Sequence, residues 1–149
     1  MQALIFIGMP GAGKSTFART RFFDTHLRLN FDQLKTRNRE AILLRACLES
    51  KTPFVWDNTS PTRAVRAPLL EQLQLARFEA VAFYFEPDFA ASWERNARRQ
   101  GKARVPLVGV KSVAAQLEKP AWDEGFAAIF SVWNRGEAGF EVEEWRREI

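Results

Sequence analysis

The 149 residues make one ordinary domain, and at 46% apolar and 27% charged they exclude disorder, collagen and coiled coil as the main state. One cysteine, Cys47, and one histidine, His26, leave no disulfide framework, no multi-cysteine zinc site and no Ser-His-Asp triad. Net charge is +4, carried by 16 arginines and 6 lysines, and the acid-free basic stretch 95–104 reads by itself as a solvated helix face, or else as a patch for an anionic ligand rather than for general nucleic-acid coating.

The run ALIFIG, 3–8, is a buried strand ending on glycine, too short for a signal peptide or a bilayer span. A helix is expected over 14–23, a short second strand over 27–30, and one helix over 32–50 with Leu34, Ile42, Leu43, Ala46 and Cys47 at core-like spacing. FVWD, 54–57, is a third strand, and 61–76 a third helix with proline near its first turn. A fourth strand, 80–85, leads into a helix over 88–99 and a basic, glycine-containing loop over 100–106. A fifth helix spans 108–117 and a fifth strand 127–133; the tail 134–149 adds an edge strand or short helix. The five tryptophans are scattered and read as core or interface. Alternating apolar strands and helices imply an α/β domain with a parallel sheet covered on both faces, and leave no room for a second domain within 1–149.

GMPGAGKS, 8–15, matches the G-x-x-x-x-G-K-[ST] phosphate loop and sits between the first strand and first helix, as the chemistry requires. Gly8, Gly11 and Gly13, with Ala12 between them, let backbone N–H groups curl around phosphates, and the helix that continues through Thr16 presents its positive end. Lys14 reaches the β- and γ-phosphates and the Ser15 hydroxyl suits Mg²⁺. The motif implies nucleoside triphosphate binding.

Asp32, in LNFDQLK, either faces the γ-phosphate as a base for an acceptor hydroxyl, or it or Asn30 merely caps the next helix. Lys35 either holds an anionic group on the substrate or is solvated. Asp57, at the end of the third strand, assists the metal or opens a turn before Pro61; Thr59 is left unassigned. Arg95 and Arg99 share a helix face, so one can lie against adenine while the other reaches the phosphates in a lid over about 95–106. Arg98, Lys102 and Arg104 are further contacts of that lid, with Gly101 as hinge.

These residues resemble the polynucleotide 5′-hydroxyl kinase branch of P-loop kinases. GMPGAGKST, LNFDQLK, WDNT and FEPDFAASWERNARRQGKARVP carry the resemblance, over about residues 3–120. It implies a P-loop NTPase fold, a five-stranded parallel sheet in adenylate-kinase-like order 2-3-1-4-5, flanked by helices with a short basic lid. It implies Lys14 and Ser15 on phosphates and Mg²⁺, Asp32 as general base, Lys35 where the family has an arginine for the substrate's phosphate, Asp57 at a required strand-end position, and Arg99 as the lid arginine. Lysine at 35 loses bidentate geometry, the segment between Asp32 and the third strand is short, and the lid carries an extra residue around Gln100. The chain holds no D-x-D-G-T phosphatase signature, so 3′-phosphatase activity is not expected.

The expected activity is ATP-dependent transfer of the γ-phosphate to a hydroxyl, first the 5′-hydroxyl of a nucleic acid or oligonucleotide, with Lys14, Asp32 and Arg99 catalytic and Mg²⁺ on Ser15 and Asp57. The alternatives are a kinase for a nucleoside, sugar or antibiotic, and a non-catalytic nucleotide-binding module. No membrane contact or obligate protein partner is expected, and missing targeting signals point to the cytoplasm.

Overall fold

The computed structural model describes residues 1–98 and 106–147. In chain order the elements are β1 (Gln2–Ile7), α1 (Lys14–Arg21), β2 (Leu27–Leu29), α2 (Phe31–Leu34), α3 (Arg37–Ser50), β3 (Phe54–Trp56) and α4 (Arg63–Leu75). Then come β4 (Glu79–Phe85), α5 (Phe89–Ala97), α6 (Leu107–Gln116), β5 (Ala128–Asn134) and β6 (Phe140–Glu144), with a 3-10 turn at Trp122–Glu124. The sheet order is β2-β3-β1-β4-β5-β6. The order 2-3-1-4-5 holds, but the sheet has six strands, because the tail pairs antiparallel onto β5 from Phe130↔Glu144 to Asn134↔Phe140. Of an edge strand or a short helix, the tail forms the edge strand. An antiparallel partner suits it, since its exposed acids could not line a sheet buried on both faces.

Strand periodicity divides the core into two layers. Ala3, Ile5 and Ile7 of β1 face one side of the sheet, where Leu44, Cys47, Leu69, Leu70 and Leu73 of α3 and α4 cover them. Leu4 and Phe6 face the other, against Phe17 of α1 and against Phe83 and Phe85. Phe6, Phe17, Phe22, Phe83 and Phe85 pack ring to ring there, with Phe6–Phe85 centroids 5.3 Å apart and Phe17–Phe85 at 5.4 Å.

The expected single helix over 32–50 is two. Lys35 takes φ 77°, and Thr36 then caps α3 by accepting from the Arg39 N–H. Restarting the helix changes its buried face: Leu44, Cys47 and Glu40 go inside, while Ile42, Leu43 and Ala46 stay exposed. Pro61 precedes the Thr62 N-cap of α4 rather than entering its first turn. Of the expected lid, α5 is described to Ala97 and the residues 99–105, with Arg99, Lys102 and Arg104, lie outside the described residues.

Candidate active site

Three parallel strands end side by side at Ile7, Leu29 and Trp56, and the segments leaving those three ends form the site. Gly8 closes β1 so tightly that a Cβ there would stand 2.8 Å from the Phe85 Cβ, and its N–H donates to the Thr59 carbonyl at 3.0 Å. Gly11 (φ 80°) and Gly13 (φ 96°) turn the loop through left-handed backbone, which leads straight into α1. Gly13 is also a close approach: a Cβ would meet the Asn134 side-chain nitrogen at 2.6 Å. Asn134, at the end of β5, donates to the Ala12 carbonyl and so braces the loop from behind. Thr16 is exposed in the first turn of α1.

Lys14 is buried and curls back over the loop, donating to the carbonyls of Gly8 (3.0 Å) and Met9 (2.7 Å). The Ser15 hydroxyl donates to Oδ2 of Asp57 at 3.0 Å, bringing together two residues 42 apart in sequence. The Asp57 carboxylate is only 1% exposed. Arg28, from the middle of β2, joins them: its Nε donates to the same Oδ2 at 2.7 Å and its Nη2 to Ser15 Oγ at 2.9 Å. Arg95 reaches across from α5 to donate to the Gly11 carbonyl at 2.7 Å. Partial burial pulls its pKa below the ordinary arginine range, with Asp88 and Glu94 opposing. A cation stripped of water in this way gains more from an arriving anion.

Asp32 and its rival for the helix cap separate cleanly. Asn30 is the cap: its Oδ1 accepts from the Gln33 N–H, and its Nδ2 donates to the Asp57 carbonyl. Asp32 is exposed, with no hydrogen-bond or ion-pair partner among the described residues, and it lines a cavity of about 570 Å³ shared with Lys14, Ser15 and Asp57. Lys35 is exposed at the end of α2 and is not part of the cavity wall. Arg37 is, lying 3.8 Å over the Phe31 ring and paired with Glu40 at 3.1 Å. Glu40 is buried and also accepts from Asn58, whose Oδ1 receives the Phe31 N–H. Trp56, Val65, Pro68 and Leu69 supply the apolar wall.

Several of these residues are not legible as site residues in the sequence. Asn134, Arg28, Arg37, Glu40 and Asn58 sit far from the phosphate loop along the chain, and only Asn58, beside Asp57, lies within a singled-out motif. Arg66 is another: its fully buried guanidinium forks onto Glu124 at 2.8 and 3.1 Å and donates to the Ser60 carbonyl, holding the loop after β3.

Comparison with known proteins bears on the family and the fold. Residues 23–120 match the family model AAA_33, described as AAA domain. The bifunctional polynucleotide phosphatase/kinase of Schizosaccharomyces pombe is 23% identical over 135 residues, which cover 88% of this chain and 33% of that protein. The chain therefore spans about a third of the length of the curated relative it matches. In fold it is similar to Chaetomium thermophilum Kti12, solved in complex with ADP-AlF3, at TM-score 0.69 and 16% identity over 91% of this chain and 92% of that one. It is also similar to a sugar kinase from Janibacter sp. HTCC2649, at TM-score 0.59 and 15% identity over 88% and 85%. The fold is that of a P-loop NTPase of the kinase-like kind, a nucleotide-binding architecture.

Proposed function

The chain belongs to the AAA domain family, and on that premise we propose that residues 1–149 form one kinase domain that moves the γ-phosphate of ATP to a hydroxyl, with the 5′-hydroxyl end of a nucleic acid or oligonucleotide as first acceptor. The observation that carries the reading is Asp32: a carboxylate without a partner among the described residues, at a cavity shared with the phosphate loop, while Asn30 supplies the helix cap. A nucleotide-binding module without chemistry has no use for such a group.

Phosphates fit the cradle of Gly8, Gly11, Ala12, Gly13 and Thr16, with Lys14 leaving the Gly8 and Met9 carbonyls for the β- and γ-phosphates. Arg95 has the reach to join it there, and Arg99 is assigned the phosphates from the lid side. Ser15 and Asp57 fit Mg²⁺, since their oxygens stand 3.0 Å apart with a cationic group already seated on both. When bound, the ion neutralises charge on the β- and γ-phosphates. Asp32 orients the acceptor hydroxyl and takes its proton as the oxygen bonds to the γ-phosphorus. The bond to the β–γ bridging oxygen breaks and ADP leaves. Lys35, exposed and outside the cavity wall, is assigned a flanking phosphate of a longer acceptor.

One observation favours a second reading, a small hydroxylated acceptor such as a nucleoside or sugar. The cavity is compact, and its wall carries Glu40, already neutralised by Arg37 and hydrogen-bonded by Asn58, a polar pairing that suits a hydroxyl-bearing group. Labelled γ-phosphate transfer from ATP with Mg²⁺ to a 5′-hydroxyl oligonucleotide, beside Asp32→Asn, decides. Transfer lost by about 10²-fold or more in the variant supports the first reading. No transfer with ATP still bound overturns the oligonucleotide and turns the search to compact acceptors, whose binding depends little on salt.

A further inference from the structure

Arg28, Ser15 and Asp57 close a ring of hydrogen bonds beside the phosphate loop. Asp57 is a buried carboxylate and needs a cation beside it, and Arg28 supplies one at 2.7 Å. Ser15 spends its proton on Asp57 and receives the Arg28 Nη2–H on a lone pair. A hard divalent cation bound by the same hydroxyl and carboxylate needs that oxygen electron density. Arginine and metal therefore compete for the same pair of oxygens.

We propose that Arg28 is a displaceable counter-cation, holding the Ser15–Asp57 pair in the nucleotide-free protein and yielding its place when Mg²⁺ arrives with nucleotide. The proposal rests on the reading of Ser15 and Asp57 as the metal pair. Arg28 is built to leave. Its side chain is 34% exposed, it springs from the edge strand β2, and its remaining anchor is a 3.1 Å bond from Nη1 to the exposed Gln33. A lysine at 28 keeps the charge but cannot fork across Ser15, Asp57 and Gln33 together. The exchange of one cation for another spares Asp57 any stage at which its charge is buried and uncompensated.

The test is binding of a fluorescent ADP analogue across a Mg²⁺ series, using the native chain, Arg28→Gln, Arg28→Lys and Gln33→Ala. Arg28→Gln should reach half-maximal binding at about tenfold lower Mg²⁺, the worth of one charge-assisted hydrogen bond. Arg28→Lys should fall between, and Gln33→Ala, which loosens only the outer anchor, should shift the same way by a few-fold. Melting without nucleotide adds a second readout: Mg²⁺ alone should stabilise Arg28→Gln more than the native chain. Unchanged Mg²⁺ midpoints in folded variants would overturn the proposal while leaving the kinase reading intact. Weaker nucleotide binding by Arg28→Gln at saturating Mg²⁺ would overturn it too, making Arg28 a direct nucleotide ligand. A native chain that binds no Mg²⁺–nucleotide would overturn both. Should Arg28→Gln fail to fold, Gln33→Ala alone decides by the direction of its shift.

Discussion

Replacing Arg66 by methionine should destabilise the domain strongly, because it breaks a fully buried ion pair. The Arg66 side chain is 0% exposed and its Glu124 partner 4%. Nε and Nη2 grip the carboxylate at 2.8 and 3.1 Å, Nη1 donates to the carbonyls of Ser60 (2.9 Å) and Glu118 (3.2 Å), and Nη2 also to Lys119 (3.4 Å). Methionine fills much of the volume but strands a buried charge and three carbonyls, so the loss should be about 3–5 kcal/mol. At about 2–4 °C per kcal/mol for a domain of this size, melting should drop by about 6–20 °C. Calorimetric melts at neutral pH measure it. Adding Glu124→Leu to the variant removes the stranded charge and should recover part of the loss, since an apolar pair can replace a buried ion pair. A drop below about 3 °C for Arg66→Met, or no recovery in the double variant, would refute the view that this clamp holds the loop after β3.

Gly13→Ala combines positive φ with a Cβ 2.6 Å from the Asn134 amide nitrogen, so it should destabilise by about 1–3 kcal/mol and weaken nucleotide binding; an unchanged urea midpoint would contradict this. Lys14→Ala should abolish turnover and weaken ATP affinity, checked by calorimetric titration; wild-type affinity would remove Lys14 from the phosphates. Burial lowers the His26 pKa, and its Nε2 has no partner among the described residues. The unfolded chain therefore binds the proton more readily. Stability from His26 is full above the ordinary value of about 6.5 and is lost as pH falls toward the folded value. Melting temperature should decline across that window in the native chain and less steeply in His26→Gln; parallel slopes would exclude His26 as the cause.

What is legible in the sequence is what repeats locally. Buried strands of β-branched and aromatic residues, and a phosphate loop with glycines at turning positions, announce themselves through composition and spacing. Thr36, three residues before the Arg39 N–H that it caps, is the available signal for splitting the helix; apolar spacing through 34–47 masks it. The misplacement of Ile42 and Leu43 has the same cause, because carrying one helical phase across the Lys35 break rotates the predicted face.

The site divides along a different line. Gly8, Asn30 and Asp57 each come directly after the last residue of a parallel strand, and parallel pairing alone carries such positions to one edge of the sheet. Spacing is enough to find them. Arg28 lies within its strand, where a polar residue reads as an ordinary outward position of an edge. Its pairing to Val55 brings it within reach of Asp57 only because β2 docks on β3 with no intervening residue out of register. Arg37 and Glu40 depend further on where the helix restarts, two residues after Lys35. Each such residue is invisible in proportion to the number of tertiary choices that bring it to the cavity. The groups proposed to handle phosphate are therefore readable from the chain, while those that surround Ser15 and Asp57 and wall the cavity require the fold.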